Sequence, residues 1–205
     1  MKEKQKGFTL TELLIVIAII SIVSSVLIFN HRDFKDEIAV SNDAHKIVLA
    51  LREVRLSAMV GKEVQSGNLD LTERFNRNYG LYFNSQLANR HSFVSFVDIN
   101  GNGRYEETST VDCGSDECLE SVSLEDGNSV KSICKLNEDG SGECSAQLQR
   151  VHIVFKRPLG DMEITAHPPP AYSSNNDSGV VINLESPRGI KKSVIIKNTG
   201  VFSVR

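Results

Sequence analysis

The chain has 205 residues, 40% of them hydrophobic and 24% charged, with a formal net charge of −3. That composition excludes wholesale disorder, and the near-neutral balance supplies no global field for nucleic acid. The averages hide an asymmetry: four of the first six residues are charged, whereas Glu12 is the lone charge between Phe8 and Phe29.

The run FTLTELLIVIAIISIVSSVLIF, residues 8–29, would form a helix of roughly 33 Å, enough to cross a bilayer core. Its Ile, Val and Leu fall on every face, which makes lipid its natural solvent. No second run of this kind follows, so a single pass is expected. Lys2, Lys4 and Lys6 precede it and should stay cytoplasmic, leaving the rest of the chain outside. A secretory signal has a shorter apolar core and a small-residue cleavage site, whereas here Ser24-Ser25 leads into Val26-Leu27-Ile28-Phe29. A plain signal anchor leaves Glu12 unexplained, because a carboxylate inside a membrane costs about 2.5–3.5 kcal/mol and usually has a partner or a function. The bland reading of Glu12 is a side chain that snorkels to the interface.

Lys6 to Ile20 (KGFTLTELLIVIAII) closely resembles the class III signal of type IV pilins and pseudopilins. The resemblance implies cleavage by a prepilin peptidase between Gly7 and Phe8, methylation of the new Phe8 amine, and retention of the helix. Glu12 then becomes the fifth mature residue, the family's assembly carboxylate. Thr11 stands where the family usually has an aliphatic residue. Losing residues 1–7 removes three lysines and one glutamate, taking the formal charge from −3 to −5. It also sets a cationic amine near a carboxylate in an apolar phase. Pairing the two between subunits would offset both desolvation costs.

Beyond the apolar run, residues 31–60 contain neither Pro nor Gly. Val40, Ala44, Ile47, Leu51, Val54 and Ala58 share one helical face, so the helix is expected to continue and dock on a β-domain. Gly61 fits its C-terminal stop. Short apolar or alternating runs then predict strands at 79–84, 92–99, 121–124, 130–136, 147–156, 162–166, 180–184, 192–197 and 201–204. Asn-Gly, Asp-Gly and Asn198-Thr199-Gly200 turns separate them, and the last two strands form a terminal hairpin. Residues 167–179 read as a long exposed loop. The expected class is α+β, a long helix on an antiparallel sheet. The segments are a leader 1–7, a transmembrane half 8–29, an amphipathic half 30–61 and an exported β-domain 62–205, with a Cys-containing insert at 112–144.

The layout resembles the pilin architecture, and within it the H-type pseudopilins of type II secretion and related minor pilins. Ala44–Lys62, Phe96–Gly103 and Lys192–Arg205 carry that likeness, as a second helical half, a central hairpin and a closing hairpin. Implied partners are other pilin or pseudopilin subunits, the prepilin peptidase and an inner-membrane assembly platform. The implied place is the inner membrane, single-pass, with the β-domain periplasmic or extracellular.

Asp98-x-Asn100-x-Asn102-Gly103 matches the opening of a calcium loop, with Glu107 nearby as a further carboxylate, although the twelfth position is Ser109. The same Asn-Gly pairs are a strong hairpin signal. Cys113, Cys118, Cys134 and Cys144 lack zinc spacing and lie where disulfides persist. Cys134 with Cys144 and Cys113 with Cys118 is one pairing, and Cys118 with Cys134 belongs to another. The histidines (His31, His45, His91, His152, His167) form no catalytic motif, so an enzyme is not expected. Arg188, Lys191, Lys192, Lys197 and Arg205 give a basic C-terminal end. Some minor pilins bind DNA through such a region, but interleaved aromatics are missing here, and a solvated face is the alternative.

Overall fold

The computed structural model describes residues 7–61, 75–86, 90–107, 113, 115–136, 144–167 and 178–205, without the side chains of 26–33, 144–146 and 167. Helix α1 (Leu10–Val60) is 51 residues long. It follows from a stretch free of Gly and Pro between Gly7 and Gly61. Thr9 caps its start, and Gly61 ends it in the left-handed region (φ 75°), donating its N–H to the Ser57 carbonyl (3.0 Å). The Arg157 guanidinium packs against Gly61, where a Cβ would collide with it. The helix has no basic residue in its own last turn, so Arg157 sets positive charge beside its C-terminus from another element.

The two halves of α1 differ as the sequence implies. The described side chains from Leu10 to Ser25 are exposed, whereas Val40, Ala44, Ile47, Leu51, Val54 and Ala58 are buried. Among the described residues, no helix is long and apolar enough to cross a membrane; the described side chains of the apolar run break off at Ser25.

The strands are β1 (Asn78–Asn84), β2 (Ser92–Asp98), β3 (Cys118–Ser123), β4 (Ser129–Leu136), β5 (Cys144–Leu148), β6 (Arg150–Lys156), β7 (Asp161–His167), β8 (Gly179–Glu185), β9 (Lys191–Lys197) and β10 (Phe202–Val204). They form not one sheet but two, in the orders β3-β2-β1-β6-β7 and β10-β9-β8-β4-β5, with every pairing antiparallel. The single strand expected at 147–156 is in fact β5 and β6, one in each sheet. Only Gln149 separates them, and its carbonyl accepts from the Ser85 N–H (2.9 Å). No Gly or Pro marks that break.

One core joins the helix stripe to the inward residues of both sheets. Tyr79, Leu81 and Phe83 with Val151, Ile153 and Phe155 face it from the first sheet, and Val180, Ile182, Leu184, Val194 and Ile196 from the second. Each such side chain stabilises by about 1.5–3 kcal/mol on full burial, which outweighs strand or helix propensity. The stretch 112–144 does not stand apart as an insert: β3 pairs with β2, while β4 lies between β8 and β5 and buries Val130 and Ile133.

The expected central hairpin forms between β2 and β3, but its connection is long. Past β2, residues 99–107 do not return as a strand but lie as a strap over the outer face of the first sheet. Tyr105 packs there with Tyr82, Val94, Phe96 and Val154, and its N–H donates to His152 Nδ1 (3.0 Å). The proposed loop at 167–179 falls largely outside the described residues.

Candidate functional site

At its N-terminus the chain enters α1 through Gly7, Phe8 and Thr9. Among the described residues nothing approaches within 4 Å of where a Gly7 Cβ would stand, and Phe8 is 90% exposed. Among the described residues nothing covers the Gly7–Phe8 bond on its Phe8 side. Thr9 and Glu12 form a reciprocal capping box. The Glu12 N–H donates to Thr9 Oγ1 (3.3 Å), while the Thr9 N–H (2.9 Å) and Oγ1 (2.8 Å) both donate to Glu12 Oε2. Two donors that a helix start leaves without partners are satisfied this way, and the carboxylate sits at the positive end of the helix dipole. Both bonds end on Oε2, which leaves Oε1 available to a further donor. The role of Thr9 was missed in the sequence, although Thr9-x-x-Glu12 is the capping-box pattern itself.

Residues 2–28 match the prokaryotic N-terminal methylation motif. The chain carries a prepilin-type methylation motif. It covers the leader, the Gly7–Phe8 bond, Glu12 and most of the apolar run, and with the α+β fold it is consistent with a type IV pilin-like protein. The motif implies processing by a prepilin peptidase and assembly with other pilin subunits. No solved structure matches the chain.

The other residues singled out in the sequence fall in three places. Cys113 and Cys118 are disulfide-bonded to each other, which removes the Cys118–Cys134 pairing. Cys134 is disulfide-bonded as well, and the Cys144 side chain lies outside the described residues.

The calcium set is split by the strap. Asp98, Asn100 and Asn102 cluster at its start, but Glu107 is committed elsewhere. It accepts from the Tyr82 hydroxyl and from Asn84 Nδ2 (2.9 Å), and it pairs with Arg150 (2.9 Å). Burial and the bond to Glu107 push the Tyr82 phenol well above its ordinary value. The carboxylate that does accompany Asp98 is Glu117. Sequence reading missed it because β2–β3 pairing, not chain proximity, brings it there (Val97 N–H to Glu117 O, 2.8 Å). Among the described residues no group of three His, Cys, Asp or Glu side chains converges on a metal position.

The basic C-terminal residues do not form one patch. Arg188 pairs with Asp36 on α1 (3.4 Å). Lys191 and Lys197 lie at opposite ends of β9, about 20 Å apart at strand rise, with Ile195 between them on the same side. Lys192 falls on the alternate face with Val194 and Ile196, and Arg205 pairs its backbone with Ser193.

Proposed function

We propose that the chain is a minor pilin or pseudopilin, a structural subunit without catalytic activity. It is held in the inner membrane by the apolar first half of α1, cut between Gly7 and Phe8, and methylated on Phe8. It is then built into a short filament that supports secretion across the outer membrane. The observation that carries this reading is the Thr9–Glu12 capping box at the start of an exposed apolar helix. It fixes a carboxylate four residues from the future N-terminus with one oxygen still available. In a filament that oxygen would receive the Phe8 amine of the adjoining subunit. Neither charge would then stay unpaired in an apolar core. The full run 8–29 has the length to span a bilayer core, and the β-domain beyond it would stand in the periplasm. A DNA-binding role at a filament tip has less support, because its five basic residues are dispersed and two are bound within the fold.

Glu12→Leu tests the assembly role. The substitution removes a charge from lipid, so insertion should hold or improve, and cleavage should survive because Gly7 and Phe8 are intact. The variant should accumulate as a processed, membrane-held monomer that crosslinks poorly to filament partners. Crosslinking equal to wild type at equal membrane abundance would remove the assembly role and leave Glu12 as a snorkelling side chain.

A further inference from the structure

Asp98 ends β2 at the root of the strap and is 1% exposed. Its Oδ2 accepts from the Gly103 N–H (3.1 Å) and from Asn78 Nδ2 (3.4 Å). Its Oδ1 is equally buried and has no hydrogen-bond partner among the described residues. A buried carboxylate oxygen without a donor is strongly unfavourable, and here the neighbouring charge has the same sign. Glu117 is 6% exposed. Burial first, and then the Asp98 charge, push its carboxyl up, against backbone hydrogen bonds that hold it down. Those bonds come from the N–H groups of Ile99 (3.2 Å) and Asn100 (3.4 Å) to Oε1, and of Glu106 (3.4 Å) to Oε2.

Around this pair the strap supplies oxygen. Asn100 Oδ1 accepts from the Asn102 N–H (2.9 Å), and Asn102 Oδ1 from the Arg104 N–H (2.7 Å). Each amide oxygen retains a second lone pair. Both amide NH2 groups turn instead to Glu106 Oε1 (3.0 and 3.5 Å). Gly101 and Gly103 take φ values of 75° and 71°, the left-handed conformation that closes a loop this tightly. The Arg77 guanidinium donates Nη1 to the Ile99 carbonyl (2.7 Å).

We propose that Asp98 and Glu117, with the amide oxygens of Asn100 and Asn102, form a calcium-binding site. The donor set is entirely oxygen, which suits a hard divalent cation and not zinc. Carboxylates mixed with amide oxygens on an irregular strap fit the irregular coordination of Ca2+ better than the strict octahedron Mg2+ demands. The ion would neutralise two buried like charges. It would also tie down the strap that carries Tyr105 onto the first sheet. Glu107 takes no part.

The test uses the full-length protein in detergent, stripped with EGTA and titrated with CaCl2, MgCl2 or TbCl3. Saturating Ca2+ should raise Tm by about 5 °C, with a much smaller Mg2+ effect. Tb3+ should show tyrosine-sensitised emission that Ca2+ displaces, with Tyr105 as the neighbouring donor. Asp98→Asn and Glu117→Gln should each abolish the Ca2+ shift, and Glu107→Gln should keep it. If wild type shows neither a Ca2+ shift nor displaceable Tb3+ emission, the proposal falls. It also falls if both Asp98→Asn and Glu117→Gln keep the wild-type response. Because cleavage and methylation are read separately by mass, failure here leaves the pilin reading untouched.

Discussion

Asp43 lies fully buried on the α1 face that otherwise carries Val40, Ala44 and Ile47. Its Oδ2 accepts from the Glu125 N–H (2.9 Å) and from Asn128 Nδ2 (2.7 Å), and Lys46 approaches Oδ1 (3.4 Å). One helix carboxylate thus holds the 3-10 turn at Glu125–Gly127 between β3 and β4. Asp43→Ala leaves the buried Asn128 amide and the partly buried Glu125 N–H without an acceptor and should cost about 2 kcal/mol. A urea midpoint measurement checks it, and a loss below about 1 kcal/mol would show that water replaces the carboxylate there. Thr9→Ala acts at the other end of the helix. It removes the capping hydroxyl, worth about 1 kcal/mol, and should speed amide exchange at Glu12 while leaving the β-domain unchanged.

At the scale of elements, the join between Gly61 and Arg157 couples the helix end to the turn after β6. Gly61→Ala forces an L-residue into the left-handed region and drives its Cβ into the guanidinium, so it should destabilise by about 2 kcal/mol or more. Arg157→Ala in the same chain relieves the collision and should recover part of the loss in a double-mutant comparison of Tm. Most elements were legible because their signals are local. The Val40-to-Ala58 stripe and the uninterrupted helix needed only spacing, and eight of the nine expected strand runs each match one strand. The exception, 147–156, was illegible because β5 passes into β6 across Gln149 with no turn former to announce a change of sheet. Partition into two sheets is a tertiary outcome that alternation cannot encode, since both sheets turn one face to the same shared core. Glu117 escaped notice for a related reason: β-pairing alone sets it beside Asp98. The Asn-Gly signals mark the connection between the paired strands β2 and β3, where their glycines start a strap longer than a tight turn.

For the molecule as a whole, the sequence divides labour between an exposed apolar half-helix and a β-domain whose core is shared with the second half of α1. The capping box and the methylation motif belong to the first part, the disulfides to the second. Cys113–Cys118 closes a short loop at the edge of the first sheet and should contribute about 2 kcal/mol on the loop-entropy account. Unfolded, unreduced protein from the envelope should show no thiol reactive to alkylating reagent; four reactive thiols would rule the bridges out.

Where the mature chain begins decides whether the protein is a processed, pilin-like subunit. Intact-mass analysis of the membrane-purified protein, with sequencing of its first residues, should give a chain starting at Phe8 and carrying one methyl group on its amine, with both disulfides closed. A chain that keeps Met1 in cells that have the peptidase, or one cut after Ser25, would contradict it.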